Sequence, residues 1–204
     1  MIQQHFLDSL SCLRADIIRP ADRLLDIGAG AGFPGIPLKI YQPDLHVTAV
    51  DAVAKKIVFL RQICRLLDLQ GVDCVAARLE PQSPDAAARA QPGQRVVAPE
   101  QAFDVVVSRA VGAIPYLLQL AAPFLAANGH VLLQRGRADR QAISTNPLWL
   151  RESGFQAVKI VTVNFSFCEH PRDLILFAKF SASNFNSAHP LVSFLERTCG
   201  KNKA

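Results

Sequence analysis

The chain has 204 residues, half of them hydrophobic and 19% charged, which predicts one folded domain with a sizeable core and excludes a disordered chain. Its formal net charge of +5 favours polyanionic partners such as nucleic acid without excluding other functions. No apolar run approaches the ~18 residues of a membrane span, and residues 1–5 lack the parts of a signal peptide. We therefore expect a cytoplasmic protein that does not associate with a membrane.

Apolar runs alternate with amphipathic stretches along the chain, which predicts an α/β domain with a mainly parallel sheet. Gly71 and Gly129 follow helical patterns and predict two helix ends. The connection between the last two strands is too short for a crossover helix, so these strands should form an antiparallel hairpin at the sheet edge. The predicted strands are 23–27, 46–50, 72–76, 103–108, 129–134, 155–163 and 172–180, and the predicted helices are 3–18, 34–41, 54–69, 113–127 and 138–151.

We expect the domain to comprise residues 1–182 and a polar tail to follow over residues 183–204. Residues 81–102 separate two strands and are rich in Pro, Ala and Gln. This segment is longer than most compact connections, and its composition is typical of either a short helix with irregular flanks or a loop.

The five cysteines are scattered along the chain and form no C-x-x-C pair. An odd number at such spacings predicts neither a disulfide framework nor a zinc site. We expect reduced, buried thiols and no bound metal. The cysteines are Cys12, Cys64, Cys74, Cys168 and Cys199.

A glycine-rich turn follows the first predicted strand, with the sequence Asp-Ile-Gly-Ala-Gly-Ala-Gly-Phe-Pro-Gly from Asp26 to Gly35. Glycines at this position let a ligand approach the backbone closely, and ligands of open α/β sheets bind at the carboxyl ends of the strands. Asp51 ends the second strand, 21 residues beyond Gly30, where a carboxylate can accept hydrogen bonds from ribose hydroxyls. The arrangement predicts a site for an adenosine-containing cofactor.

Two cofactors fit this pattern, a dinucleotide and S-adenosylmethionine. Gly30 to Gly35 matches the dinucleotide motif G-x-G-x-x-G. Asp26 is expected to face the ligand, where it would repel a pyrophosphate, and Pro34 lacks the N–H that a phosphate would use. S-adenosylmethionine has no phosphate, and its ammonium and sulfonium suit a carboxylate that acts directly or through water and the loop amides. We therefore favour S-adenosylmethionine.

Separated motifs along the chain match those of one known family. They are His5-x-x-Asp8-Ser9, the Asp26–Leu38 loop with both Pro34 and Pro37, Asp51 followed by Lys55-Lys56 and Phe59-Leu60, Arg78-Leu79-Glu80, Ser108-Arg109-Ala110, and Arg135-Gly136. Over roughly residues 5–180 the sequence resembles the RsmG (GidB) family of 16S ribosomal RNA guanine-N7 methyltransferases. It departs from the family pattern where Leu79 replaces an alanine and where Arg135 replaces a lysine.

The resemblance implies a Rossmann-like class I methyltransferase fold with a seven-stranded sheet and S-adenosylmethionine as the methyl donor. It also implies transfer of a methyl group to N7 of a guanine in 16S rRNA, either free or within the small ribosomal subunit, by a monomeric enzyme. Guanine N7 has a free lone pair at neutral pH, so we expect no essential general base. Catalysis should come from positioning and electrostatics.

Family members carry an N-terminal helical extension before H-x-x-D-S, whereas this chain begins four residues before His5. Truncation, a misassigned start and a naturally shortened relative are the three explanations. A shortened relative could bind cofactor or RNA without turnover. A class I methyltransferase acting on a small molecule or a protein is the other alternative.

Arg109 follows the fourth predicted strand, and we expect it to position the target nucleotide, the alternative being a salt bridge that shapes the site. His5 and Asp8 share a helix face and should cover the cofactor, orient a loop or pack the helix. The expected cofactor-binding residues are Asp26, Gly28, Gly30, Phe33, Asp51, Ala52, Leu79, Glu80 and Arg109. The expected RNA-binding residues are Lys55, Lys56, Arg135, Arg137 and Arg140, with Arg61 and Arg65 extending the basic face.

Overall fold

A computed structural model describes residues 3–80, 102–109, 111–136, 153–166 and 171–179, together with residues 139, 143 and 150. The segment 81–101 and the predicted tail lie outside the described residues. The described strands form one sheet in the order β3-β2-β1-β4-β5-β7-β6. They are β1 (Arg23–Ile27), β2 (His46–Asp51), β3 (Val72–Ala76), β4 (Phe103–Arg109), β5 (Leu125–Arg135), β6 (Phe155–Val163) and β7 (Arg172–Lys179).

Strands β1 to β5 are parallel, and β7 pairs antiparallel with both β5 and β6. The predicted C-terminal hairpin is therefore confirmed, with β6 at the edge of the sheet. Strand order reverses between β1 and β4, so the carboxyl ends of these two strands flank the place where open α/β sheets bind ligands.

The described helical segments begin with a π-helical turn at Gln3–Leu7, the short helix α1 (Asp8–Leu10) and a 3-10 turn at Ser11–Ala15. Longer helices follow at α2 (Gly35–Tyr41), α3 (Ala54–Leu66) and α4 (Ile114–Ala121). Of the predicted helix 138–151, only residues 139, 143 and 150 are described, and these are helical. None of the described helices is both long enough and apolar enough to cross a bilayer.

Gly129 does not end a helix as predicted, because it lies inside β5 and α4 already ends at Ala121. A Cβ added at Gly129 would lie 2.8 Å from the carbonyl oxygen of Phe103. The glycine is therefore needed because β4 approaches it closely. Gly71 lies between α3, which ends at Leu66, and β3, and it has φ +69°, so the predicted helix end before Gly71 is confirmed.

Both faces of the sheet are buried, and alternate residues of each central strand enter opposite cores. Leu25 packs with α4, whereas Leu24 packs with Leu38 of α2 and with Cys12 of the N-terminal segment. Because side chains alternate along a strand, Asp26 lies on the same face as Leu24. The three described cysteines, Cys12, Cys64 and Cys74, are free, and they are buried as the sequence predicts.

Candidate functional site

The glycine-rich loop after β1 is tied to the end of β2 by hydrogen bonds. The N–H groups of Gly28 and Ala29 both donate to the carbonyl of Val50, at 2.8 and 3.0 Å. The N–H of Gly30 donates to Oδ2 of Asp51 at 2.9 Å. Gly28, Gly30 and Gly32 have positive φ, which glycine adopts without a steric cost. The loop is thus a fixed floor at the carboxyl edge of the sheet.

Few amides of this loop are left to bind a phosphate. Gly32 and Phe33 donate to the Ala29 carbonyl, and Ile36 donates to the Gly32 carbonyl. The N–H of Gly35, the first residue of α2, donates to Oδ2 of Asp26 at 2.8 Å. Pro34 and Pro37 have no N–H. Pyrophosphate binding needs several such donors, so the geometry disfavours a dinucleotide.

Asp26 does not face the open edge of the sheet as predicted. Its side chain is fully buried beneath α2, and Oδ1 has no hydrogen-bond partner among the described residues. Burial raises the pKa of Asp26 to about 7, and Asp51 contributes in the same direction, whereas the Gly35 N–H and Arg109 lower the pKa. This placement keeps the Asp26 carboxylate from direct contact with a ligand at the open edge of the sheet.

Asp51 occupies the predicted position at the end of β2, with 7% of its surface exposed. Its Oδ1 accepts the N–H of Val53 at 2.8 Å, and its Oδ2 lies 3.4 Å from Nζ of Lys56. One carboxylate therefore organises the glycine loop, the start of α3 and a lysine. A carboxylate with two oxygens has about four acceptor positions, so one remains for a ligand hydroxyl.

Gly28 supports a prediction about the floor of the site. A Cβ on Gly28 would lie 2.3 Å from Cγ2 of Val111, whereas a Cβ on Gly30 meets nothing closer than 3.8 Å. Both residues have positive φ, which costs alanine ~1–2 kcal/mol. Gly28→Ala should lower the free energy of unfolding in urea by a further ~1–3 kcal/mol, because Val111 must move. Equal losses for Gly28→Ala and the control Gly30→Ala would contradict this account.

The N-terminal segment contacts the predicted substrate-positioning residue. Arg109, the last residue of β4, donates from Nη2 to Nδ1 of His5 at 2.9 Å, and its Nη1 lies 3.6 Å from Oδ2 of Asp8. The His5 ring stacks on Phe33 with centroids 5.2 Å apart, and Phe6 packs edge-on against the same ring. Phe33 therefore packs against the N-terminal segment and not in the core, and the H-x-x-D motif contacts both Arg109 and the glycine-rich loop.

The residues expected near the adenine differ in their exposure to solvent. Leu79 is partly buried against the core that contains Leu25, while Ala52 and Glu80 are exposed. These positions follow β2 and β3, so they lie at the same edge as Asp51. The placement keeps Leu79 available for apolar contact and leaves Glu80 in solvent.

The predicted RNA-binding residues separate into different environments. Lys55 is exposed in the first turn of α3, and Lys56 pairs with Asp51. Arg61 donates from Nε and Nη2 to the carbonyl of Cys74 in the middle of β3, at 3.2 and 2.8 Å, so it binds the outer edge of this strand. Arg65 is exposed on α3. Arg137 and Arg140 lie outside the described residues.

Arg135 does not have the exposed position that RNA contact would need. It is 8% exposed and donates from Nη2 to the carbonyl of Val111 at 2.6 Å. Burial lowers the pKa of its guanidinium. Because Val111 packs against Gly28, Arg135 supports the floor of the site and does not reach outward.

Sequence reasoning missed two residues at this edge of the sheet, Gln134 and Arg172. Gln134 of β5 donates from Nε2 to the backbone carbonyl of Asp8 at 2.6 Å. Nε of Arg172 lies 3.6 Å from Oδ2 of Asp8. Both contacts depend on where the N-terminal segment packs, and no local motif reports that position.

A cavity of about 450 Å³ lies at the opposite edge of the sheet. It is lined by the first residues of β1, β2 and β4, which are Arg23, His46 and Phe103. Ligands of open α/β sheets bind at the carboxyl edge, so we place the functional site at the glycine loop and not in this cavity. Among the described residues there is no cluster of three His, Cys, Asp or Glu side chains that could hold a metal ion.

The chain is similar to known proteins over most of its length. Residues 1–170 match the family model described as "GidB: rRNA small subunit methyltransferase G". A protein from Alkaliphilus metalliredigens named ribosomal RNA small subunit methyltransferase G is 31% identical over 86% of this chain and 69% of its own length. One of the same name from Roseiflexus castenholzii is 36% identical over 88% of this chain and 71% of its own length.

The solved structures share the architecture. A SAM-dependent methyltransferase from Aquifex aeolicus aligns with a TM-score of 0.63, covering 86% of this chain and 92% of its own, at 12% identity. At that identity the likeness shows the fold alone, which is the class I methyltransferase fold predicted from the sequence.

Proposed function

The chain belongs to the rRNA small subunit methyltransferase G family, and on that premise we propose that it methylates N7 of a guanine in 16S rRNA with S-adenosylmethionine as the donor. The observation that supports this most directly is the glycine loop. Its N–H groups donate to acceptors within the protein, and Asp51 lies beside it at the carboxyl edge of the sheet. Such a loop suits an adenosine ligand without phosphates. The substrate is 16S rRNA, either free or within the small subunit. The enzyme acts on it as a monomer in the bacterial cytoplasm.

The residues at the carboxyl edge fit the donor. Gly30 leaves open space above the loop, since an added Cβ would meet nothing closer than 3.8 Å. Asp51 would accept hydrogen bonds from the ribose, Leu79 would pack on the adenine, and Asp26 would hold the loop through the N–H of Gly35. When bound, S-adenosylmethionine supplies a methyl group on an electron-poor sulfur.

The contribution of the chain to the reaction is mainly positioning. Guanine N7 has a free lone pair at neutral pH, so no side chain has to remove a proton. Arg109 lies at the end of β4 with its guanidinium fixed by His5 and Asp8, where it can position the target nucleotide through the base edge. The neighbouring carboxylate of Asp8 offsets the positive charge that would otherwise oppose charge development on the guanine.

Methylation of small subunits tests the proposal. Subunits purified from cells that lack this modification should accept label from methyl-labelled S-adenosylmethionine, and subunits that already carry the modification should not. Mapping of the product should place the label on N7 of one guanine. Binding of the donor without labelling of the subunits would instead support a non-catalytic relative, and labelling of a small molecule or protein would support another methyltransferase.

Asp51 supplies a prediction about donor binding. Asp51→Ala should weaken binding by ~1.5–3 kcal/mol, the contribution of a hydrogen bond to a charged group. This corresponds to roughly 10- to 150-fold in Kd, measured by equilibrium dialysis. Asp51→Asn keeps one acceptor for the Val53 or Gly30 N–H and should lose less. Unchanged affinity in both variants would mean that the ribose contact lies elsewhere.

A further inference from the structure

Asp8 is a buried carboxylate that faces two arginines. It is 1% exposed, and its Oδ2 lies 3.6 Å from Nη1 of Arg109 and 3.6 Å from Nε of Arg172. We call these three residues the arginine bridge. A buried carboxylate needs charged or hydrogen-bonding partners, and the Asp8 side chain has both guanidiniums with Gln134 Nε2 at 3.5 Å. The bridge retains one net positive charge.

The two arginines reach Asp8 from different strands that meet at the same edge. Arg109 is the last residue of β4, which is parallel to β5. Arg172 is the first residue of β7, and because β7 is antiparallel to β5, its start lies beside the carboxyl end of β5. The side chain of Arg109 is 20% exposed and that of Arg172 is 37% exposed. Arg172 is therefore the member of the bridge that solvent reaches most easily.

The two Nη groups of Arg172 can donate hydrogen bonds to a ligand. Asp8 contacts its Nε, and no other described residue pairs with its two Nη groups. A guanidinium held by Nε in this way presents a planar pair of donors, which is the geometry that phosphate oxygens accept. Its neighbour Arg109 is less suited to a backbone phosphate, because its Nη1 is buried and its Nη2 is used by His5.

We propose that Arg172 binds a backbone phosphate of the RNA substrate beside the target nucleotide, and that Asp8 is the positioning residue that aims Arg172 and Arg109 together. This inference rests on the proposed function, since it takes RNA as the substrate of the same edge. Because the Asp8 carboxylate neutralises one of the two arginines, the three residues together add only one positive charge to the site. RNA is then held without a cluster of cations around the reacting guanine.

The test uses Arg172→Gln, with Arg19→Gln as the matched control. Arg19 precedes β1 at the opposite edge, is 64% exposed and pairs with Asp16 at 3.5 Å, so the change in charge and in ion pairing is similar. Fluorescence anisotropy would measure the Kd of a fluorescein-labelled 16S rRNA fragment at several salt concentrations. Arg172→Gln should weaken binding and reduce the slope of log K against log salt by about 0.7–0.9, the value for one lost phosphate contact. The Kd of S-adenosylmethionine should stay unchanged.

Arg19→Gln should keep the wild-type slope. Equal slopes for wild type and Arg172→Gln, or absence of salt-dependent binding by the wild type, would overturn the proposal and leave Arg172 as a tether for the N-terminal segment. If Arg172→Gln does not fold, Arg172→Lys replaces it. The lysine keeps the slope but loses the planar pair of donors, so affinity should fall several-fold, and unchanged affinity would also overturn the proposal.

Asp8→Asn tests the positioning role. It keeps both arginines but removes the carboxylate that aims them, so kcat for subunit methylation should fall while the Kd of S-adenosylmethionine stays unchanged. An unchanged kcat would show that Asp8 does not position the two arginines. If the wild type fails to methylate subunits but the salt slope depends on Arg172, the proposed function fails and the phosphate contact stands. If the wild type methylates subunits but the salt slope does not depend on Arg172, only the phosphate contact is overturned.

Discussion

Replacing Arg109 with alanine is expected to reduce methylation of small subunits by roughly 10- to 150-fold, equivalent to the ~1.5–3 kcal/mol of a hydrogen bond to a charged group. The guanidinium is held in place by His5 and Asp8 at the carboxyl end of β4. Its loss would remove the positioning contact at the reacting base. Asp8 would still have Arg172, so it would not be left as an unpaired buried charge.

The measurement is the initial rate of label transfer, read beside the Kd of S-adenosylmethionine. Arg109→Lys keeps the charge but not the planar fork, so it should recover little of the rate. Arg19→Ala is the control for loss of a surface arginine far from the site. A rise in donor Kd by the same factor as the loss of rate would instead support the other role expected of Arg109, which is cofactor binding. An unchanged rate would make Arg109 only a salt bridge that shapes the site.

The strands were predictable because their pattern is local. Both faces of the parallel strands are buried, so each strand reads as an apolar run, and residues 23–27 and 72–76 were predicted with the observed bounds. The fifth strand was predicted to begin at 129, four residues late. Its first residues, Leu125 to Asn128, resemble a helix end, and the pairing of Leu125 with Phe103 decides otherwise. Long-range pairing is not visible in a local pattern.

The site was predictable in part for the same reason. The glycine loop and Asp51 follow from spacing along consecutive elements, and the structure places them together. The direction of the Asp26 side chain depends on which face of the sheet α2 covers, and spacing does not report that. Arg172 is missed because it begins an antiparallel strand, whereas ligand-binding residues of open α/β sheets are expected after parallel strands.

The buried carboxyl of Asp26 predicts a second large effect, on the dependence of stability on pH. Burial raises the pKa of Asp26 from 3.8 to about 7, so the folded chain holds this proton more tightly than the unfolded chain. Below pH ~4 the carboxyl is protonated in both the folded and the unfolded state, so it does not make stability depend on pH. As pH rises from about 4 to about 7 the folded state loses stability, at ~1.4 kcal/mol per pH unit.

Without ligand, the free energy of unfolding of Asp26→Asn minus that of the wild type should therefore be larger at pH 8 than at pH 4.5, by a few kcal/mol. The amide oxygen still accepts the N–H of Gly35, and no charge has to be buried. Urea unfolding of wild type and variant across this range measures the effect, and the difference between them removes the other titrating groups. A difference that stays flat from pH 4.5 to 8 would mean that Asp26 titrates normally.

The same substitution should have the opposite effect on donor binding. An ionised Asp26 attracts the positive charges of S-adenosylmethionine from beneath the loop, and the neutral amide does not. The increase in Tm on addition of S-adenosylmethionine at pH 8 should thus be smaller in Asp26→Asn than in the wild type, although the variant melts higher without ligand. An equal increase in both would leave Asp26 with a purely structural role. A buried carboxylate that costs stability is retained when the site needs its charge.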